Sequence, residues 1–224
     1  MQAAAVATLS HNLNGQRLGR KGRDTRERIL GVTKELVATA DHSQISLSAI
    51  ARGAGMGMTS LYVYFSDLTE VLLAVLAPVM AEAEDAYIHQ IREHWADDTL
   101  YDDCLAFVTA FHAFWQRHSK ILHLRNTMAD QKDKRMVAER IASARIVMWL
   151  LVEQMGHDPN AHGTAAVAMA TVLYTGIERV ITIATDTTLG PGMPSSFTPD
   201  VAHFIECEAR LLELGIREYR GMAG

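Results

Sequence analysis

Four side chains with hydrogen-bonding or soft apolar ends crowd one short stretch: Met58, Thr59, Ser60 and Tyr62, with Tyr64 just beyond. Hydroxyls at this spacing on a helical turn can donate to phosphate oxygens and base edges, while a methionine can lie against a thymine methyl. Cationic chemistry sits upstream. Between Arg17 and Arg28 there are Arg17, Arg20, Lys21, Arg23, Arg26 and Arg28 against only Asp24 and Glu27. Six against two is a net +4, which leaves −9 for the rest of a chain whose total is −5. Such an asymmetry points to a polyanion-binding face near the N-terminus of an otherwise acidic protein. Arg52, at the end of a short helical pattern, adds a backbone-contacting cation.

Other chemistry finds little support. The ten histidines invite a metal, but His89 with His94 and His118 with His123 are five apart, off a common helical face. No glycine-rich phosphate loop lies between a strand and a helix, and no nucleophile elbow is present. No catalytic residue, metal site or cofactor is expected. Cys104 and Cys207 are far apart and read as free, buried thiols of a reducing cytoplasm. No stretch reads as a membrane span, the longest candidate being Ala165 to Ile177.

The elements that would position these residues are helical throughout. At 224 residues and 49% hydrophobic content the chain can bury a sizeable core. Residues 1–23 lack periodicity and read as a flexible basic arm, with Arg20, Lys21 and Arg23 able to follow phosphates. Asp24 with Glu27 suggests a capping box for a first helix whose apolar stripe is Ile29, Val32, Leu36 and Val37. Ser46 is placed to cap a second helix with Leu47, Ile50 and Ala51 inward. Gly53 to Met56 make a small-residue turn, and a third short helix turns Leu61 and Phe65 inward.

A long helix is expected over 67–95, bent at Pro78. Further helices are expected over Leu100–Gln116, Ser119–Ala129, Lys132–Met155, Thr164–Thr187 and Asp200–Tyr219, with a break at Asp97–Thr99 and a loop over Leu189–Pro199. The fold class is all-α, with no strand and no internal repeat.

Over residues 24–76 the chain resembles the TetR family of transcriptional regulators. The likeness rests on Arg28-Ile29-Leu30, on Ile50-Ala51 followed by Ala54-Gly55, on Leu61-Tyr62-Val63-Tyr64-Phe65, and on Glu70, Leu72 and Leu73. The chain departs from the family pattern at Gly57, at Met58, at Tyr64 in place of histidine, and at Leu68 in place of a phosphate-binding lysine. No formal charge falls between Gly57 and Ser66.

The resemblance implies a helix-turn-helix domain over 24–70 and a helical ligand-binding and dimerisation bundle over 71–224. It implies a homodimer bound to double-stranded operator DNA, released as a repressor by a hydrophobic or amphipathic small molecule, in the cytoplasm and away from membranes. DNA contacts would fall to Arg20, Lys21, Arg23, Arg52, Met58, Thr59, Ser60, Tyr62 and Tyr64. A ligand chamber would use Phe111, His112, Trp115, Arg125, Asn126, Met148, Trp149, Tyr174 and Glu178. Subunit contacts would come from Val167, Val172, Ile177, Ile181, Phe204, Glu208 and Leu211. The neutral recognition helix also fits an alternative, a helical binding module that acts through protein or small-molecule partners.

Overall fold

The computed structural model describes residues 18–186 and 200–222. Helices are α1 (Arg20–Thr39), α2 (Leu47–Gly53), α3 (Met58–Leu61), α4 (Leu68–Ala83), α5 (His89–Arg92), α6 (Leu100–Asp130), α7 (Lys134–Gln154), α8 (Ala165–Ala184) and α9 (Val201–Met222). One π-helical turn, Glu84–Ile88, joins α4 to α5. No strand occurs among the described residues. The Leu189–Pro199 loop and most of the N-terminal arm lie outside them.

α1 begins earlier than the Asp24–Glu27 pair suggested. Its N-cap is Gly19, which contributes no side-chain bond, and Arg23 N donates to Gly19 O at 3.0 Å. Asp24 is therefore inside the helix. Leu18, just before the helix, is buried. Arg20, Lys21 and Arg23 consequently belong to the first helical turn.

Two cores result. The smaller joins Ile29 of α1, Ile50, Ala51 and Ala54 around α2, Leu61, Phe65 and Val71. The larger runs through the bundle from Val37 and Leu72 to Leu212 and Ile216. Leu68 packs against both. Leu68, where the resemblance would place a lysine, is thus an apolar residue that joins the N-terminal helices to the bundle.

Polar bonds reinforce the same junction. Asp67 caps α4 by accepting from Glu70 N at 2.9 Å, and also accepts from Arg135 Nη2 at 2.6 Å. Thr69 Oγ1 donates to Asp133 Oδ2 at 2.6 Å, while Asp133 Oδ1 caps α7 through Arg135 N and Met136 N.

In the bundle α6 packs against α7 and α9, and α8 lies between α7 and α9. α6 is continuous in hydrogen bonding but bends at His118, where φ is −110° and ψ 17°. The two helices expected on either side of Arg117–His118 are the two arms of this bend. The break after α5 is closed by buried Gln154. Its Nε2 donates to Ile91 O and Glu93 O at 3.0 and 2.6 Å, satisfying carbonyls at a helix end. Arg220 completes the closure by donating to Trp95 O and to Asp97 Oδ1.

α8 is, by length and composition, apolar enough to cross a membrane, which the shorter segment read from the sequence was not. Its apolar surface faces α7 and α9 on one side and is open on the other.

Candidate DNA-contact surface and effector cluster

The N-terminal helices are built from local signals that act as expected. Ser46 Oγ accepts from Ala49 N at 3.2 Å and starts α2. Gly55 adopts φ 64°, a left-handed conformation that allows Met56 N to reach back to Ala51 O at 3.0 Å. Gly53 serves a different purpose. A Cβ there would stand 2.6 Å from Val32 Cγ1, so α1 and α2 approach as closely as they do only because residue 53 has no side chain.

α3 is a single turn starting at Gly57, with no side chain bonded to its first N–H groups. Leu61 and Phe65 pin it from beneath. Arg26 lies over the Phe65 ring at 5.0 Å, and burial lowers its pKa. Arg26 is thus structural, whereas Arg20, Lys21, Arg23 and Arg52 are exposed and form no ion pair among the described residues. Thr59 and Ser60 are exposed, and Tyr62 retains 49% of its surface. Met58 and Tyr64 are half-buried and pack against the small core. The expected contact residues therefore divide into free side chains and two that also brace the turn.

A second constellation lies inside the bundle. Arg125 of α6 is only 3% exposed. Its Nη2 is 3.4 Å from Glu178 Oε1 of α8, and its Nη1 is 3.6 Å from Glu139 Oε2 of α7. Nε donates to Asn126 Oδ1 at 3.1 Å, Met80 Sδ of α4 is 4.0 Å from Nη1, and the guanidinium lies 5.6 Å from the centre of the Trp115 ring. One residue thus touches α4, α7 and α8. The aromatic surroundings are continuous: Phe111 contacts Trp115 and Tyr174 with centroids 6.4 and 6.1 Å apart, and Tyr87 meets Phe111 edge-on at 4.8 Å.

Burial moves protons here in definite directions. The Tyr174 hydroxyl is pushed well above its ordinary pKa, first by desolvation and then by Glu178. His112 is lowered by desolvation, which favours the neutral ring, and its Nε2 is buried without a hydrogen-bond partner.

Of the residues expected to line a chamber, Phe111, Trp115, Arg125, Asn126, Tyr174 and Glu178 are linked by these contacts. His112 is buried on the same helix, and Met148 is half-buried against the core. Trp149 is not among them. It is 39% exposed, with Arg145 5.0 Å from its ring centre, because its place on α7 turns it away from the core. Glu139 was missed. It lies 14 positions from Arg125 in sequence, and no local pattern pairs them.

A third surface is apolar. Exposed Val172 of α8 and Leu211 and Leu214 of α9 border a 490 Å³ cleft with Met169, Gly176, Ile177, Gly215 and Glu208. Gly215 allows the two helices to close, since a Cβ there would be 2.7 Å from Leu173 Cδ1. Glu208 is 6% exposed, both its carboxylate oxygens lack partners, and burial raises its pKa to about 8. Cys104 is buried with its pKa raised to about 12, chiefly by desolvation, while Cys207 is exposed, contrary to expectation. No group of three or more candidate metal ligands occurs among the described residues.

Known proteins share this arrangement. A TetR-like transcriptional regulator from Rhodococcus sp. RHA1 superposes with a TM-score of 0.55 at 18% identity, covering 93% of this chain and all of that one. The fatty acid degradation regulator FadR from Bacillus halodurans gives 0.59 at 15% identity, over 90% and 99% of the two chains. In sequence, the HTH-type transcriptional regulator EthR of Mycolicibacterium smegmatis is 29% identical over 93 residues. Over nearly its whole length the chain thus shares the fold of TetR-like regulators. No family model matches it. The matched segment spans 41% of this chain and 43% of EthR, less than half of that relative. The solved TetR-like structures establish the shared fold, a helix-turn-helix followed by a helical bundle.

Proposed function

We propose that the protein is a homodimeric, ligand-responsive transcriptional repressor that binds double-stranded operator DNA through α3. The observation that carries this reading is the division of labour in α3. Leu61 and Phe65 are wholly committed to the core, while Thr59, Ser60 and Tyr62 are exposed and take no part in it. A short helix held out in this way, with free N–H groups at its start, suits entry into a major groove.

The neutral recognition helix shifts the electrostatic work to Arg20, Lys21, Arg23 and Arg52. Three of these cations occupy the first turn of α1, the end where the helix dipole disfavours positive charge. Phosphates would offset that cost.

The apolar face of α8 and α9 is read as the subunit interface rather than a membrane contact. Apolar residues recur along α8 and α9 at helical spacing, and Gly176 leaves open space for a close neighbour. Two copies joined there would present two reading heads.

The effector, a hydrophobic or amphipathic molecule, would occupy the region of Phe111, His112, Trp115, Arg125, Asn126, Met148, Tyr174 and Glu178. Arg125 suits the role of relay because it bonds α8 and also touches Met80 of α4, the helix that leaves the reading head. A ligand that binds better to one arrangement of α4 and α6 would shift the spacing of the two heads, and only by that difference in affinity.

Selection from a random duplex library tests the proposal. The expected product is a sequence of two inverted half-sites whose centres lie about one helical turn apart. Failure to enrich any sequence would contradict it.

A further inference from the structure

A cleft of 320 Å³ opens where the reading head meets the bundle. Its walls come from α1, α4 and α6, three helices that converge there. The floor is apolar, formed by Val37, Val75, Val79 and Ile121. The rim is cationic: Lys34, Arg117 and Lys120 stand on it, with Glu82 as the opposing carboxylate. Counting His118 as neutral, the lining carries a net +2, three cations less one carboxylate. Glu82 Oε2 stands 3.1 Å from His118 Nε2. Lys34, Arg117 and Lys120 have no ion pair or hydrogen bond among the described residues.

The position of the cleft adds to its chemistry. Pro78, within α4, lines one wall, and His118, where α6 bends, lines another. The α4 proline and the bend of α6 therefore face the same space. None of the residues around Arg125 described above lines it.

We propose that this cleft is a second ligand site, distinct from the Arg125 cluster, that takes a small amphipathic anion of the aliphatic carboxylate class. The tail lies on the valine and isoleucine floor, and the headgroup meets Arg117 and Lys120. The volume is at the small end of the range for small-molecule sites, which suits a single unbranched chain. A ligand here bridges α1, α4 and α6 and fixes the angle between head and bundle. That consequence rests on the repressor reading, whereas occupancy of the cleft does not.

Calorimetric titration of the full chain with decanoate, decan-1-ol and acetate tests the proposal. Decanoate is expected to bind once per chain, and acetate and decan-1-ol at least about tenfold more weakly, a loss of about 1.4 kcal/mol. Two variants complete the test. Arg117→Ala with Lys120→Ala removes exposed charges and is expected to weaken decanoate at least about tenfold while leaving the melting temperature unchanged. Ala38→Trp, on an exposed residue of the wall, is expected to fill the cleft and abolish binding. Absence of decanoate binding, or binding equal in all three proteins, overturns the site. So does binding that persists in both variants but is lost in Arg125→Met, which would put the ligand in the bundle core. DNA affinity measured with and without decanoate then reads the consequence separately. If decanoate binds as expected but leaves DNA affinity unchanged, the regulatory role is overturned and the site stands.

Discussion

Tyr62 illustrates how far a single side chain can be assigned. Its hydroxyl is free, while Leu61 beside it is wholly buried. Tyr62→Phe is expected to weaken DNA binding by about 0.5–1.5 kcal/mol, one hydrogen bond's worth, with the melting temperature unchanged. A fall in melting temperature without a loss of affinity would make the residue structural. Arg125 gives the opposite expectation. Arg125→Met leaves Glu178 and Glu139 without their cation in a mostly buried site, and chemical denaturation should report a loss of about 3–5 kcal/mol.

Glu208 sets a pH dependence. Its pKa is raised from 4.5 to about 8 in the folded chain. The unfolded chain therefore ionises first, and the contribution of this group to stability is fully present below about pH 4.5 and lost as pH rises through about 8. Melting temperatures of the wild type and Glu208→Gln should diverge across that window, with the variant losing less stability on the alkaline side. Parallel curves would contradict the assignment. This residue was legible only as a member of an apolar face. That it would be buried and unpartnered depends on its packing beside α8, which no periodicity in α9 encodes.

At the scale of elements, the signals that survived folding were those with a local cause. The Ser46 cap, the turn at Gly55 and the bend between Arg117 and Ser119 each arise within a few residues. The start of α1 did not follow its local signal: its N-cap is Gly19, and Asp24 lies inside the helix. The π turn after α4 has no signature in composition. Gly53 was readable as a small residue in a turn, but its specific reason, the approach of Val32 from α1, is tertiary. Gly53→Ala should accordingly cost about 1–3 kcal/mol by overpacking, and Val32→Ala in the same chain should recover part of that loss. Urea denaturation of the single and double variants checks this. No recovery would mean that Val32 is not the obstacle.

The first turn of α1 makes a separate prediction. Replacing Arg20, Lys21 and Arg23 by alanine should reduce the slope of log affinity against log salt by about 2–3 per chain, at close to 0.9 for each phosphate no longer neutralised. An unchanged slope would remove these residues from the interface.

For the molecule as a whole, the all-helical class followed from hydrophobic spacing and turn residues, whereas the division into head and bundle was what the family resemblance implied. The links between them followed from neither. Leu68 joining two cores, Thr69 bonded to Asp133 and Asp67 bonded to Arg135 all connect positions that are far apart in sequence or that serve two neighbours at once. These links make the head and bundle a coupled unit, on which the proposed regulation depends.

The open α8–α9 face completes the account only if a second copy covers it. Leu211→Glu is expected to shift the sedimenting species from dimer to monomer and to weaken DNA binding, since a single head grips only one half-site. A variant that stays dimeric would place the interface elsewhere.

The most direct test is fluorescence anisotropy of the full chain with duplex DNA taken from beside its own gene, across a salt series, against unrelated DNA of the same length. The account predicts affinity at least about a thousandfold above the control, falling as salt rises. Equal and weak binding to both duplexes, at every salt concentration, would contradict it.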